Sequence, residues 1–481
     1  MSLPARASAA DSGGMQQLTT LDAGFLQAED SDPHVSLAIG AVAVLAGPMP
    51  DFDSLSLELA DRIRTVPRLC QVLRTQPFDL AAPRWTDVDV DMSHHLHRAG
   101  LPRPGDDATL FRWAAEVMKR RLDRDRPLWE CWIVDGLAHN RWAIVMKIHH
   151  CIADGAAATR LLAQLCDDRG GETFDIGAGA PPARSAVRLP AVTADPVDWL
   201  SAAWHTSRAV TSAATQVVRG AVDLAEGLLR PPAASSLTGP VTDRRRFAAV
   251  EASLADVARI CDRFDVTVND VALAAITDGF RTMLLRRGEH PRPTSLRTLI
   301  PVSVRSGDAA DKTHNRVSAM LPYLPVDRAD PIDQLRTVHA RMSKAKGSGQ
   351  RQAGNAVLAA ADAVPFPLTA WTVRALTRLP QRGVVTVVTN VPGPRTRMHV
   401  MGREVVRLLP IPPLALRLRT GITILSYADH LSFGVIGDYD AAPDVDEIAA
   451  GIERALARLA ALAAGHWRCT PVGTLALVQG G

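Results

Sequence analysis

The amino-acid sequence predicts a layered α/β chain of two domains, with mixed sheets flanked by helices. Three observations carry that expectation. At 481 residues the chain exceeds the roughly 250–300 residues at which a single hydrophobic core stops growing. Apolar strand-like runs alternate with helical segments in both halves. Between the halves, residues 170–195 shift to Gly, Pro and Ala, including Gly177-Ala178-Gly179-Ala180-Pro181-Pro182, which reads as a linker. The resulting division is a loose leader over 1–17, a first domain over 18–169, a linker and crossover helix over 170–240, and a second domain over 241–481.

Taken in order, the leader is rich in Ala, Ser and Gly and lacks the apolar stretch of a secretory signal. Residues 36–44 and 141–148 have the apolar content of strands, while 51–65 and 154–165 have helical patterning. A long Ala-rich helix is expected over 197–229, ending at Pro231-Pro232; it is either a crossover helix packed on its neighbour or a lipid-surface helix. In the second half, 297–304 and 384–388 read as strands, and 423–427 with 431–435 as a hairpin around Ala428-Asp429-His430. Residues 445–464 form a terminal Ala/Leu helix. Two halves of similar character predict a cleft between them.

Composition excludes several classes. Hydrophobic residues at 47% and charged residues at 22% describe an ordinary globular chain rather than a disordered one. A net charge of +3 is too small over this length to argue for nucleic acid, and no nucleic-acid-binding motif is present. The six cysteines are scattered without Cys-x-x-Cys pairs, which favours a reducing, cytoplasmic setting. No window approaches the ~18 uninterrupted apolar residues of a spanning helix, so contact with a membrane or lipid droplet is expected to be peripheral.

The feature that carries chemistry is His149-His150-Cys151-Ile152-Ala153-Asp154-Gly155, placed where the apolar strand ends and the next helix begins. Polar groups there emerge from a sheet edge and can line a cleft. Imidazole titrates near neutrality, so a neutral histidine at that place can take a proton from an alcohol attacking a carbonyl. Asp154 can cap the helix or pair with an arginine such as Arg305, and Gly155 permits close backbone approach. A metal site is disfavoured, because the pattern lacks the Glu beside the first His and the i, i+4 His spacing of a zinc helix. Gly-x-Ser-x-Gly is absent, which argues against a serine acyl-enzyme of the α/β-hydrolase type. Cys151 is set aside as a nucleophile because neighbours at a strand end point to opposite sides. Pro127-Leu128-Trp129 reads as a rigid turn with a packing indole, and Asn269-Asp270 either caps a helix or shapes the site. Asn390 is expected in a strand-ending turn near a channel.

This pattern resembles the His-His-x-x-x-Asp-Gly signature of CoA-dependent acyltransferases of the chloramphenicol acetyltransferase-like superfamily. Within it, Leu18-Thr19-Thr20-Leu21-Asp22 with Phe25-Leu26, Pro127-Leu128-Trp129, Asn269-Asp270, Pro301-Val302-Ser303-Val304-Arg305 and Thr389-Asn390-Val391-Pro392-Gly393-Pro394 resemble, in order, motifs of the wax ester synthase/diacylglycerol acyltransferase family. The resemblance covers nearly the whole chain from Leu18. One departure is His314-Asn315, where family members often have Gly before the asparagine. The resemblance implies two chloramphenicol acetyltransferase-like domains with an interdomain active-site channel, and transfer of a fatty acyl group from acyl-CoA to diacylglycerol or a long-chain alcohol; the alternatives are acylation of a specialised hydroxyl lipid, or a catalytically weak lipid-binding or lipid-droplet protein that keeps the fold. His150 would be the general base, aided by His149 and Asp154, with no acyl-enzyme. Gly155, Asn269, Asp270, Pro127, Leu128, Trp129, Arg305 and Asn390 would bind substrate or support the site. Asn269 or a backbone N–H would serve the oxyanion. Acyl-CoA is then a substrate, and neither cofactor nor metal is expected.

Overall fold

A computed structural model describes residues 18–75, 82–168, 173, 235–303, 317–347, 383–414 and 418–465. The expected leader, most of the linker with the helix at 197–229, Arg305 and His314-Asn315 lie outside those residues.

In chain order, the first half contains α1 (Thr20–Ser31), β1 (Ala38–Ala46), α2 (Phe52–Arg64), β2 (Gln71–Arg74), β3 (Arg84–Asp87), β4 (Leu96–Gly100), α3 (Asp107–Lys119), β5 (Trp129–Leu137), β6 (Arg141–His149) and α4 (Gly155–Gln164). The second half contributes β7 (Arg245–Ser253), α5 (Leu254–Phe264), α6 (Val268–Arg286), β8 (Leu296–Ser303), β9 (Val317–Met320), β10 (Tyr323–Leu324) and α7 (Pro331–Gly347). It continues with β11 (Thr386–Pro392), β12 (His399–Val400), β13 (Arg403–Ile411), β14 (Thr420–Tyr427), β15 (His430–Asp438) and α8 (Val445–Ala463). Each strand and helix expected within these residues is found, most shifted by a residue or two.

Two mixed sheets organise them. The first has six strands in the order β12-β13-β1-β6-β5-β4, and the second has seven, running β10-β8-β11-β14-β15-β7 with β9 beside β8. The first sheet is covered on both faces, which is why Trp142 to His149 are buried without a break. On one face Val42, Val44 and Val145 meet α3 through Leu110, Ala114 and Met118. On the other, Ala43, Leu45 and Ile144 meet α2 through Leu55, Leu59 and Ile63. Lys147, fully buried in this sheet, donates to the main-chain oxygens of Val117 and Arg120, so its ammonium neutralises the C-terminal end of α3. The second sheet packs against α5, α6, α7 and α8 around Phe280, Ile448 and Phe433.

The halves are not spatially separate. β12 and β13 belong by sequence to the second half, yet they complete the first sheet, β13 pairing antiparallel with β1 from Gly40↔Ile411 to Leu45↔Val405. Three devices hold this exchange. The Tyr427 hydroxyl on β14 donates to Val405 O and accepts from Met398 N, both at 2.8 Å. Asp167, just beyond α4, accepts from the main-chain N–H groups of Met401 and Gly402 at 3.0 and 2.8 Å. Arg407 on β13 pairs with Glu251 on β7 and with Asp107 at the start of α3. Close passage of the backbones also needs Gly434: a Cβ there would fall 1.7 Å from the carbonyl oxygen of Pro410.

Tyr427 is 2% exposed, so Tyr427→Phe leaves two buried main-chain groups without partners. Its expected cost is about 1–3 kcal/mol of unfolding free energy in urea titration. A loss below about 0.5 kcal/mol, the range of ordinary surface changes, would mean that the hydroxyl does not hold the exchanged hairpin.

Candidate active site

The strand exchange leaves a cavity between the sheets, with walls from Gly40 and Ala41 of β1, Met146 and Ile148 of β6, Leu408 and Pro410 of β13, Thr389 and Val391 of β11, and Thr423 and Leu425 of β14. Helix α4 closes one side with Gly155, Ala158, Thr159 and Leu162. The cavity and its mouth, open solvent included, hold about 670 Å³ of space not filled by atoms. Its lining is mostly aliphatic, and one imidazole, His150, projects into it.

His150 sits one residue beyond the end of β6, its main-chain N–H donating to Leu37 O at 3.0 Å. The ring packs against Phe25 of α1, with centroids 4.2 Å apart. Nδ1 is buried and finds no partner on another residue, and the group within its reach is its own main-chain carbonyl. A proton on Nδ1 directed to that carbonyl leaves the Nε2 lone pair free. Burial among apolar walls pushes this imidazole down to about 4, outweighing its own carbonyl and Asp154, which favour the charged form. The ring is therefore neutral at physiological pH, while the residue keeps partial accessibility.

His149 has the opposite fate. Consecutive residues at a strand end alternate in direction, and His149 turns away from the cavity to become 1% exposed. Its Nδ1 accepts from Cys151 N–H at 3.2 Å, and its Nε2 lies 3.5 Å from Glu29 Oε2. Glu29 is itself 1% exposed and accepts from Leu37 N–H at 3.0 Å and from Arg124 at 2.8 Å. Burial alone would raise its pKa, but His149, Arg124 and the Leu37 amide outweigh that and hold the carboxyl at about 2. Glu29 thus sits against both histidines: its carboxylate faces His149 Nε2, which makes no hydrogen bond of its own, and it reaches His150 through Leu37, whose N–H donates to Glu29 and whose C=O receives the His150 N–H.

The remaining expected residues divide in the same way. Asp154 caps α4, Oδ1 accepting from Ala157 N–H at 2.7 Å. Gly155 lines the cavity, and a Cβ there would lie 2.6 Å from Val391 Cγ2, so its close approach is to a strand of the opposite sheet. Trp129 is fully buried, donates from Nε1 to Leu69 O at 2.8 Å and stacks on His95; Leu128 O accepts the His149 N–H. Pro127-Leu128-Trp129 therefore supports the histidine loop from behind and does not line the cavity. Asp270 forms a capping box with Thr267 at the start of α6 and also accepts from His339 Nδ1 at 2.8 Å. Neither Asp270 nor Asn269 lines the cavity. Asn390 lies inside β11 rather than in a turn; its chain neighbours Thr389 and Val391 line the cavity, so its carboxamide points to the other face, where both polar atoms are buried and unpartnered. The Cys151 thiol is 4% exposed, and burial raises its pKa well above 9, so it is an unreactive neighbour of His149.

Sequence reading missed Glu29, because an acidic residue in Glu29-Asp30-Ser31-Asp32 looks like a solvated helix end. Phe25 and Glu29 are four residues apart on α1, a spacing that puts them on one face, and this was the available signal. The Thr389 and Thr423 hydroxyls were missed as well, since only strand pairing brings them together.

The chain matches the family model described as the wax ester synthase/diacylglycerol acyltransferase catalytic domain over residues 18–272, and that of the WS/DGAT C-terminal domain over 313–460. It is 52% identical to a probable diacylglycerol O-acyltransferase of Mycobacterium tuberculosis, covering 96% of this chain and 100% of the relative. Among solved structures, a wax ester synthase/diacylglycerol acyltransferase from Marinobacter aquaeolei VT8 superposes with a TM-score of 0.65 at 24% identity, covering 93% of this chain and 100% of that one. The first condensation domain of the CDA synthetase has the same fold, with a TM-score of 0.59 at 17% identity over 94% of this chain and 97% of that one.

Glu29 titrates near 2 when folded, against an ordinary value of 4.5. Its contribution is complete above pH 4.5 and is lost as the pH falls toward 2. Glu29→Gln is expected to cost about 3 kcal/mol at pH 7 and roughly half of that at pH 3 in parallel denaturant titrations. An equal cost at both pH values would show that the carboxylate charge is not what stabilises the network.

Proposed function

Given that the chain belongs to the wax ester synthase/diacylglycerol acyltransferase family, we propose that it transfers a fatty acyl group from acyl-CoA to the hydroxyl of diacylglycerol or of a long-chain alcohol, with His150 as general base. The observation that carries this reading is a neutral imidazole opening into an aliphatic cavity walled by both sheets. The acceptor hydroxyl meets Nε2, and as its oxygen attacks the thioester carbonyl carbon the proton moves to the ring. The tetrahedral adduct then collapses, the C–S bond breaks, and the imidazolium returns the proton to the sulfur. Products are the ester and free CoA, and no acyl-enzyme is needed. Acyl-CoA brings its own activated acyl group, so the reaction needs neither metal nor cofactor.

Asp154 and His149 act as positioning residues in this scheme, through the α4 cap and the Glu29 contact. The Gly155 approach to Val391 keeps α4 close to the second sheet at the mouth of the site. Both acceptors are lipids, and the chain would meet them at a membrane or lipid-droplet surface. No described helix is long and apolar enough to cross a membrane, which supports contact from one side.

His150→Ala is expected to lower palmitoyl transfer to dioleoylglycerol and hexadecanol by about 10²–10⁴-fold, read as ester formed and thiol released, with the circular dichroism spectrum unchanged. Undiminished turnover in the folded variant would remove the mechanism. Because burial holds the imidazole at about 4, kcat/KM is expected to be level from pH 6 to 8 and to fall only below about pH 5. An acid limb centred near 6.5, the ordinary histidine value, would indicate a base other than this buried ring.

A further inference from the structure

Two side chains give the cavity wall opposite the first sheet its polarity. β11 and β14 run parallel with Thr389 directly beside Thr423, and both residues line the cavity, as does the next same-face pair, Val391 and Leu425. Thr423 is 8% exposed, and neither hydroxyl has a hydrogen-bond partner among the described residues. Elsewhere in the same sheet Thr298 donates to Thr386 O and Thr386 to Thr420 O, while the Thr420 hydroxyl is buried without a partner and away from the cavity. A hydroxyl on a cavity wall can both donate to and accept from a ligand. Two of them on adjacent strands, roughly 5 Å apart by the spacing of paired strands, make a ready-made cradle for ligand oxygens. Valine would fill the same space and suit an aliphatic wall better.

We propose that Thr389 and Thr423 together bind oxygen atoms of the acceptor other than the reacting hydroxyl, so that the cavity selects a glyceride over a simple long-chain alcohol. This inference rests on the acyl-transfer reading of the His150 site. A diacylglycerol carries ester carbonyls that can accept from both hydroxyls, whereas a fatty alcohol has one oxygen, which is committed to the imidazole. A site with hydrogen-bonding groups discriminates against an analogue that lacks the matching atoms, because its own buried polar groups then stay unpaired. The aliphatic walls take the chains of either acceptor, leaving this pair as the feature that distinguishes them.

The test compares Thr389→Val/Thr423→Val with the parent, both with His150 in place and without acyl-CoA, by calorimetric binding of dioctanoylglycerol and of decanol. The affinity ratio of glyceride to alcohol is expected to fall about tenfold or more, the worth of two ordinary hydrogen bonds. An unchanged ratio, whether both affinities hold or both drop together, overturns the assignment. The same Val substitutions in the active enzyme should shift the ratio of dioleoylglycerol to hexadecanol esterified in the same direction. Since binding is read without turnover, failure of His150 as base and failure of the threonine pair give separate signatures. Single Thr389→Val and Thr423→Val variants keep the test open if the double variant does not fold.

Discussion

The pairing of β13 with β1 is the constraint on which the rest of the molecule depends. It brings Leu408 and Pro410 into the wall of the cavity and puts the two sheets back to back, close enough for Gly434 to meet the Pro410 carbonyl. Without this strand the first sheet would end at β1 with an unpaired edge, and the imidazole at the end of β6 would face water. Burial and reactivity are therefore coupled. The contact that excludes water from His150 also lowers its affinity for protons and keeps it a neutral acceptor.

Beneath the cavity a second layer works by electrostatics rather than by shape. Glu29, Arg124 and His149 are drawn from α1, from the segment before β5, and from the end of β6. A buried carboxylate is tolerated only where several donors converge. Here they are an arginine, a histidine and the Leu37 amide. The division of labour between adjacent histidines follows from strand geometry: one ring is held in the protein, and its neighbour is left open to a ligand.

Much of this was legible in the sequence. The apolar run ending in His149-His150, followed by Asp154 and Gly155 at a helix start, fixes a strand, a turn and a cap by local rules, and all three are found where expected. What was not legible depends on partners distant in the chain. No strand was expected over 403–411, and its place in the first sheet is decided by Tyr427, Asp167 and Arg407, which are contacts of tertiary structure. Glu29 differs from its exposed neighbours in the sequence only by sharing a helix face with Phe25, and its burial is decided by α1 lying over the β6 end. Asn269 and Asp270 were read from the family likeness as site residues. Local capping rules gave the structural alternative, and the capping box at Thr267 bears it out for Asp270.

The exchanged strand also bears on synthesis. A ribosome delivers β1, β5 and β6 long before residues 403–411 emerge, so the first sheet waits with one side of β1 open until almost the whole chain has been made. An exposed apolar edge is a template for pairing with another chain. Maturation of the amino-terminal half is thus tied to completion of the carboxy-terminal half.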